Sequence, residues 1–517
     1  MASLDERDTG GQGPAGVATG RVRTPFGPDR AQPMPTVTEL LTWGLSQHQA
    51  GNVTGAEQAY RQILEAMPQH AEAWHYLGLL AYQTRRPQLA LECFQKSLQL
   101  MPRHPVFWSN YASFLGAQGR LEEAVLCCHR AIQANPAFAD AHYNLGTMFD
   151  RLGRPDQAVA AYRQAVALQP ENALIHNNLG LALTELGQPH EAVGHFEEAI
   201  RLQPDYARAH WNLSLTLLLL GDWARGWEEY QWRTRCRELP TMTYPQPVWD
   251  GSPLEGRTIL LHAEQGLGDM IQFIRYAPLV KARGGRVVVL APPSLRRLFE
   301  RVPGVDALAL TGGPTPPFDV HCPLLSLPRL FGTRLDNVPA EVPYLSVSPE
   351  LVRYWRPRLD VPGFRVGLVW QGRPTHARDR LRSLPLERLA PLLDLDGVCW
   401  FSLQKGHGAE QLAAASFAAA IVDLGSHVTD LADTAAVVQQ LDLLISVDTA
   451  PAHLAGALGV PVWVLLPFVP DWRWLLGRDD SPWYPSMRLF RQPRHGDWDA
   501  VVQAVAAALR TQVSRGP

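Results

Sequence analysis

Five prolines, Pro68, Pro102, Pro136, Pro170 and Pro204, recur at an interval of 34 residues without a slip. A fixed period of this length means that one supersecondary unit repeats, and that neighbouring units stack to bury an apolar face that none can bury alone. Each unit also carries an aromatic residue or leucine followed by a small residue: Trp43-Gly44, Leu77-Gly78, Tyr111-Ala112, Leu145-Gly146, Leu179-Gly180 and Leu213-Ser214. Twelve positions on come Ala56, Ala90, Ala124, Ala158 and Ala192, and four beyond these Tyr60, Phe94, Cys128, Tyr162 and Phe196. Small residues at fixed places on both helices of a pair let the two approach closely, and the large ones fill the space beside them. A sixth unit, from about Ala207, has Gly226 and Tyr230 in the corresponding places and lacks the closing proline. It reads as a capping repeat that docks on whatever follows.

The period is that of tetratricopeptide repeats. Five full repeats and the degenerate cap are expected over residues 36–237, curving into a right-handed superhelix whose concave face binds an extended segment of a protein or peptide partner. Residues 1–35 are rich in Gly and Pro and lack aliphatic periodicity, so a flexible tail is expected there. At 517 residues the chain exceeds one core, because domains split beyond roughly 250–300 residues. Residues 238–256, with their Pro and Trp, break the helical period and form a connector. Past it, the short apolar runs Thr258–Leu261, Arg286–Leu290, Arg365–Trp370, Val398–Leu403, Leu443–Val447 and Val462–Leu465 alternate with longer amphipathic stretches. Alternating β and α segments predict an α/β region with parallel sheets. A Pro-rich break near residues 340–362 divides it into two Rossmann-like lobes, 257–355 and 356–510, with 511–517 as a terminal tail. Ligands of such sheets bind beyond the carboxyl ends of the strands.

Composition narrows the function classes. A formal charge of −3 gives no general attraction to nucleic acid, and no nucleic-acid partner is expected. Apolar runs such as Leu217–Leu220 are too short to cross a bilayer, and the first residues lack a signal pattern. A cytoplasmic protein without a transmembrane segment is expected, with peripheral membrane contact left open. The six cysteines, at 93, 127, 128, 236, 322 and 399, have no metal-ligand spacing and read as small apolar fillers.

Four strand ends carry polar residues. The first runs into His262-Ala263-Glu264-Gln265-Gly266-Leu267-Gly268-Asp269, a glycine turn opening a helix. Asp269 has two readings there, a helix cap and a general base facing the cleft, with His262, Glu264 and His376 as the next candidates for a base. The second sets Arg373, Arg378, Arg380 and Arg382 in a loop just after a strand, where paired guanidinium donors suit a diphosphate or are simply solvated. Gln404 and Lys405 follow another strand, the lysine as a second cation or a surface charge. In the fourth, a buried strand delivers Asp448 and Thr449 to a helix that begins Ala450-Pro451 and carries His453 one turn on.

Gly266-Leu267-Gly268-Asp269 and Asp448-Thr449-Ala450-Pro451-Ala452-His453-Leu454-Ala455 resemble the two signatures of heptosyltransferase-like, family-nine glycosyltransferases, over roughly residues 257–510. With the repeats, the whole chain is similar to bacterial tetratricopeptide-repeat glycosyltransferases, and in layout to O-linked N-acetylglucosamine transferases. The resemblance implies a GT-B fold with the acceptor on the first lobe, beside Glu264, Gln265, Gly266 and Gly268, and the nucleotide sugar on the second. Asp269 then matches the proposed catalytic base, and His453 stands with it as a catalytic position. Asp448, Thr449, Ala450 and His453 lie beside the donor, and Arg373, Arg380, Arg382, Gln404 and Lys405 occupy the region of the phosphate-binding groups. The implied activity is transfer of a hexose or heptose from a nucleotide sugar to a protein or glycan, with inversion. No metal or other cofactor is implied, because helix N-termini and cationic side chains would stabilise the leaving group. Ala450-Pro451 and the aromatic segment Asp471-Trp472-Arg473-Trp474 through Ser481-Pro482-Trp483-Tyr484-Pro485 depart from the family's pattern. The competing reading is a repeat scaffold whose α/β domain has lost catalysis. The joint presence of Asp269, Arg382, Lys405 and His453 favours the enzyme.

Overall fold

The computed structural model describes residues 35–236, 242–376 and 378–514. The expected tail over residues 1–34 and most of the connector's beginning, 238–241, lie outside the described residues. Paired helices follow the period: α1 (Val37–Gln49) and α2 (Val53–Ala66), α3 (Ala71–Gln83) and α4 (Pro87–Leu100), α5 (Pro105–Ala117) and α6 (Leu121–Ala134). The series continues with α7 (Ala139–Arg151) and α8 (Pro155–Leu168), α9 (Ala173–Glu185) and α10 (Pro189–Leu202), and α11 (Ala207–Leu220) and α12 (Trp223–Glu229). Ala56, Ala90, Ala124, Ala158 and Ala192 are all fully buried. The small residues on the first helix of a pair are needed for the same reason. A Cβ on Gly44 would stand 2.9 Å from Ala59 Cβ, and one on Gly146 would stand 2.7 Å from the Tyr162 ring.

The chain divides into two compact units. One holds the described residues up to Leu186 together with Arg201–Gln203, and the other holds Gly187–Ile200 and everything from Pro204 onward. The sixth helix pair therefore belongs with the α/β region, and not with the preceding repeats as the boundary at 237 implied. The reason is its side chains. Trp223 stacks on Trp483 with centroids 5.1 Å apart, and Trp227 meets Trp472 edge-on at 5.2 Å. The Trp227 indole donates to the Thr333 carbonyl at 3.0 Å. After only seven residues α12 tightens into 3₁₀ turns over Tyr230–Arg235, which deliver Arg233 to the α/β region.

That region contains two all-parallel sheets. The first has β1 (Thr258–His262), β2 (Arg286–Ala291), β3 (Ala307–Leu310) and β4 (Val320–Pro323) in the order β3-β2-β1-β4. In the second, β5 (Phe364–Val369), β6 (Val398–Ser402), β7 (Ile421–Asp423), β8 (Leu443–Val447), β9 (Val462–Leu466) and β10 (Met487–Arg491) lie in the order β10-β9-β8-β5-β6-β7. Strands β3, β4, β7 and β10 were not among the expected runs. The first three of these have four residues or fewer, and β4 is Val-His-Cys-Pro, which no propensity pattern marks as a strand. Three helices matter for the site: α13 (Leu267–Phe273), α14 (Ala450–Leu458) and α15 (Trp498–Ser514). Residues 511–514, expected in a tail, continue α15, while 515–517 lie outside the described residues.

Alternate residues of each strand face opposite cores. Ile259, Leu261, Val287 and Val289 join Trp223, Trp227, Val462, Val464 and Leu466 in one apolar cluster linking the sixth helix pair, the first sheet and one face of the second. The second sheet's other face, with Val366, Leu368, Ile445 and Val447, is closed by Val501, Val502, Val505 and Leu509 of α15. Among the described residues, no helix is long and apolar enough to cross a membrane. Because Trp227 is enclosed by Trp223, Tyr230 and Trp472, Trp227→Ala should cost about 3–5 kcal/mol. Urea unfolding of the full chain should show the near-ultraviolet circular dichroism transition of the α/β region moved to lower denaturant, with the far-ultraviolet helical signal of the first unit little changed.

Candidate active site in the cleft between the parallel sheets

In both sheets the strand order reverses beside the first strand, between β1 and β4 and between β5 and β8. At such a switch point the loops leave in opposite directions and open a crevice. The segments leaving β1, β5 and β8 are three of the four polar strand ends of the sequence.

From β1 the chain reaches Gly266, which precedes α13, and Asp269 lies in that helix's first turn. Asp269 Oδ2 accepts the Gly266 N–H at 2.8 Å, which is the capping reading realised. Its Oδ1 accepts from Arg473 Nη2. Burial pushes the Asp269 carboxyl above its ordinary range, against the opposing pull of the Arg473 charge. Gly268 lies against α14: a Cβ there would stand 2.9 Å from His453 Cδ2 and 3.7 Å from Ala450 Cα.

On α14, His453 Nδ1 pairs with the Tyr484 hydroxyl at 3.0 Å, and its ring stacks on Trp474 with centroids 5.4 Å apart. Its Nε2 is 3.9 Å from Asp448 Oδ1. Burial, helped by the charge of Arg473, lowers the His453 pKa to about 3, so the imidazole is neutral at ordinary pH. Burial and the neighbouring Asp471 raise Asp448 to about 6. The Trp474 indole nitrogen lies near that carboxyl but outside hydrogen-bond geometry. Asp471 is the opposite case: burial would raise it, but Arg473 more than offsets this and holds it below the usual carboxylate range.

The donor-side candidates separate into two groups. Arg382 reaches the site, donating to the Asp448 carbonyl at 2.8 Å and to Asp379 Oδ1 at 3.1 Å. Thr449 precedes α14, and its hydroxyl donates to the Val447 carbonyl at 3.2 Å. Arg373, Arg380 and His376 are exposed on the loop after β5. Gln404 is buried and fully used: Oε1 accepts the Trp370 and Gln371 N–H groups at 3.1 Å, and Nε2 donates to the Gln371 and His407 carbonyls. It braces β5 against β6, which corrects its placement among the groups free to bind a donor. The Lys405 ammonium donates to the Val428 carbonyl. On the other lobe, Gln265 and Gly266 are exposed, and Glu264 is held by Arg233 at 2.6 Å. His262 is buried against His321 at 3.1 Å, and burial lowers its pKa to about 4. Among the described residues, no three His, Cys, Asp or Glu side chains converge as metal ligands.

Residues 41–105, 149–187 and 173–206 match tetratricopeptide repeats, and residues 391–465 match glycosyltransferase family 9 (heptosyltransferase). The chain carries tetratricopeptide repeats and a glycosyltransferase family 9 domain. The family match includes Gln404, Lys405, Asp448, Thr449 and His453, and Asp269 lies outside it. Protein FlbA of Caulobacter vibrioides is 31% identical over 321 residues, which are 56% of this chain and 53% of FlbA. The chain thus spans about half the length of that curated relative. Among solved structures, MamA is 27% identical, covering 33% of this chain and 94% of its own at a TM-score of 0.29. PilF of Pseudomonas aeruginosa is 22% identical, covering 38% and 90% at a TM-score of 0.36.

Sequence reasoning missed Arg233, Asp471 and Arg473 as parts of this neighbourhood. The only signal was the run Asp471-Trp472-Arg473-Trp474, in which charges alternate with large aromatic residues that must be buried. The close approach of α13 and α14 yields a direct expectation. Gly268→Ala must displace the His453 ring and should cost about 1–3 kcal/mol. Gly194→Ala, whose new methyl meets nothing within 4 Å, serves as control and should leave the melting temperature unchanged or slightly raised.

Proposed function

We propose that the α/β domain is a GT-B glycosyltransferase that moves a sugar from a nucleotide-activated donor to a protein or glycan, with inversion. The observation that carries this reading is the meeting of Asp269, Asp448, His453 and Arg382 where the switch points of two parallel sheets oppose each other. The acceptor hydroxyl oxygen attacks the anomeric carbon, the bond from that carbon to the diphosphate oxygen breaks, and the proton passes to the Asp269 carboxylate. The nucleoside diphosphate leaves with the bonding electrons. The N–H groups that open α14, together with Arg382 and Lys405, stabilise its charge in place of a bound metal ion. Arg373 and Arg380 stand on the same loop as Arg382, free to close on the phosphates. His453, neutral and held by Tyr484, serves as a hydrogen-bonding group for the donor rather than as a cation. The repeats recruit a protein or peptide acceptor, and the reaction is cytoplasmic.

Several measurements test this reading. A nucleoside diphosphate that binds the folded state should raise the melting temperature, and a panel of them identifies the base. Arg382→Ala and Lys405→Ala should each weaken that binding by about 1.5–3 kcal/mol, and unchanged affinity in both would misplace the phosphate site. Asp269→Asn should lower turnover by about 10²–10⁴ while donor affinity stays near that of the parent. Normal turnover would return Asp269 to a capping role. Turnover should also fall as the medium is acidified through the raised Asp269 pKa, since the base must be ionised to accept a proton. Removing residues 36–186, which spares the sixth helix pair, should leave donor binding intact and abolish transfer to the natural acceptor.

A further inference from the structure

Asp269 belongs to the first lobe, yet one of its oxygens is held by a residue 204 positions later in the chain. We infer that Arg473 is a positioning residue for Asp269, reaching across from the second lobe to fix the direction of its carboxylate. The inference rests on the reading of Asp269 as the proton acceptor and assigns that acceptor a partner.

The geometry leaves the guanidinium no freedom. Its Nε donates to Gln272 Oε1 at 2.6 Å, Nη1 donates to Asp471 Oδ1 at 2.8 Å, and Nη2 donates to Asp269. Gln272 and Asp269 lie one turn apart on α13, so two arms of one planar fork grip a single helix. The third arm is anchored beside it, because the Arg473 backbone N–H also donates to Asp471 Oδ1 at 3.0 Å. The fork packs 4.4 Å from the centroid of the Trp472 ring. With Gly266 on Oδ2 and Arg473 on Oδ1, the carboxylate is tied at both oxygens, and each oxygen keeps a second lone pair for a proton. Lysine has no such fork and cannot hold Gln272, Asp471 and Asp269 in one plane. The charged or titratable groups facing Asp269 are Arg473, Asp471, His376 and Tyr230. Arg473 favours its ionised form, and Asp471 disfavours it.

The test compares Arg473→Gln and Arg473→Lys in the full chain. In Arg473→Gln the acid limb of the kcat/KM profile should move to higher pH, because the ionised carboxylate has lost its cation. The value of kcat should fall by about 10²-fold, with KM for the nucleotide sugar little changed. Arg473→Lys should leave the limb near its original place and restore only part of kcat, since it returns the charge without the fork. An unmoved limb in Arg473→Gln, or full recovery by lysine, would overturn the inference. A second readout needs no turnover. Because burial raises the Asp269 pKa in the folded protein, its stabilising contribution is complete at low pH and is lost as pH rises through that value. The melting-temperature difference between parent and Asp269→Asn, followed against pH, locates this loss, which should move to higher pH in the Arg473→Gln background. If the parent turns over no nucleotide sugar but this shift is present, the glycosyltransferase reading fails and the Arg473 contact stands. If the shift is absent, the contact has no hold on Asp269.

Discussion

Trp472 is buried between the edge of the Trp227 indole, the Tyr230 ring and the Trp483 ring, and the backbone on either side of it carries Asp471, Arg473 and Trp474. Its place therefore decides where two ionised groups and an indole stand in the cleft. An aromatic side chain of this size removes a large apolar surface from water, as does its neighbour Trp474, and it packs in few orientations. The polar residues beside it inherit their positions from that packing. This also explains the divergence of the sixth helix pair. Gly226 lets α12 lie directly on Leu218 of α11, where a Cβ would stand 2.8 Å from the Leu218 side chain, and Trp223 and Trp227 then face outward onto the α/β region instead of onto a seventh repeat.

The carboxylates of the cleft illustrate how similar residues acquire different properties. Asp471 sits against the Arg473 guanidinium and is held ionised, whereas Asp448 has no charged donor on its carboxyl and feels Asp471 as a like charge. Two neighbouring acids with pKa values driven apart are a common way for a site to keep one carboxylate charged while another exchanges a proton near neutrality. Asp269 is raised, because burial outweighs the pull of its arginine.

What could be read in the sequence follows the range of the interactions involved. The repeats were legible because a helix pair is local: Phe94, four residues after Ala90, meets Gly78 within the same unit. The family motifs at Asp269 and Asp448 were legible because each is a strand end and a helix start within a dozen residues. Strand β4 was not, since its Val-His-Cys-Pro gains a sheet position only from pairing with β1. Glu264 looked like an acceptor-side acid, and nothing within ten residues hints that Arg233, 31 positions earlier, neutralises it. Gln404 looked like a ligand and is used entirely by backbone groups of β5 and its own loop. In each miss the deciding partner lies on another element, where periodicity carries no information.

Glu264 and Asp269 mark the two ends of the segment that joins β1 to α13, and each is gripped by an arginine from outside the first lobe, Arg233 and Arg473. Arg233 is 1% exposed and Glu264 7%, so the first pair is fully withdrawn from water. Burial of two charges costs nearly as much as their attraction returns, and such pairs add little net stability. Removing one partner alone is different, because it leaves an uncompensated buried charge and costs about 3–5 kcal/mol. A pair with that energetic profile tolerates only the geometry in which both partners meet. The segment is thus pinned at two points about one loop apart, leaving Gln265 and Gly266 exposed between them. The fixed points come from the last helix pair and from the second lobe, so the direction of the Asp269 carboxylate depends on three parts of the chain being assembled together.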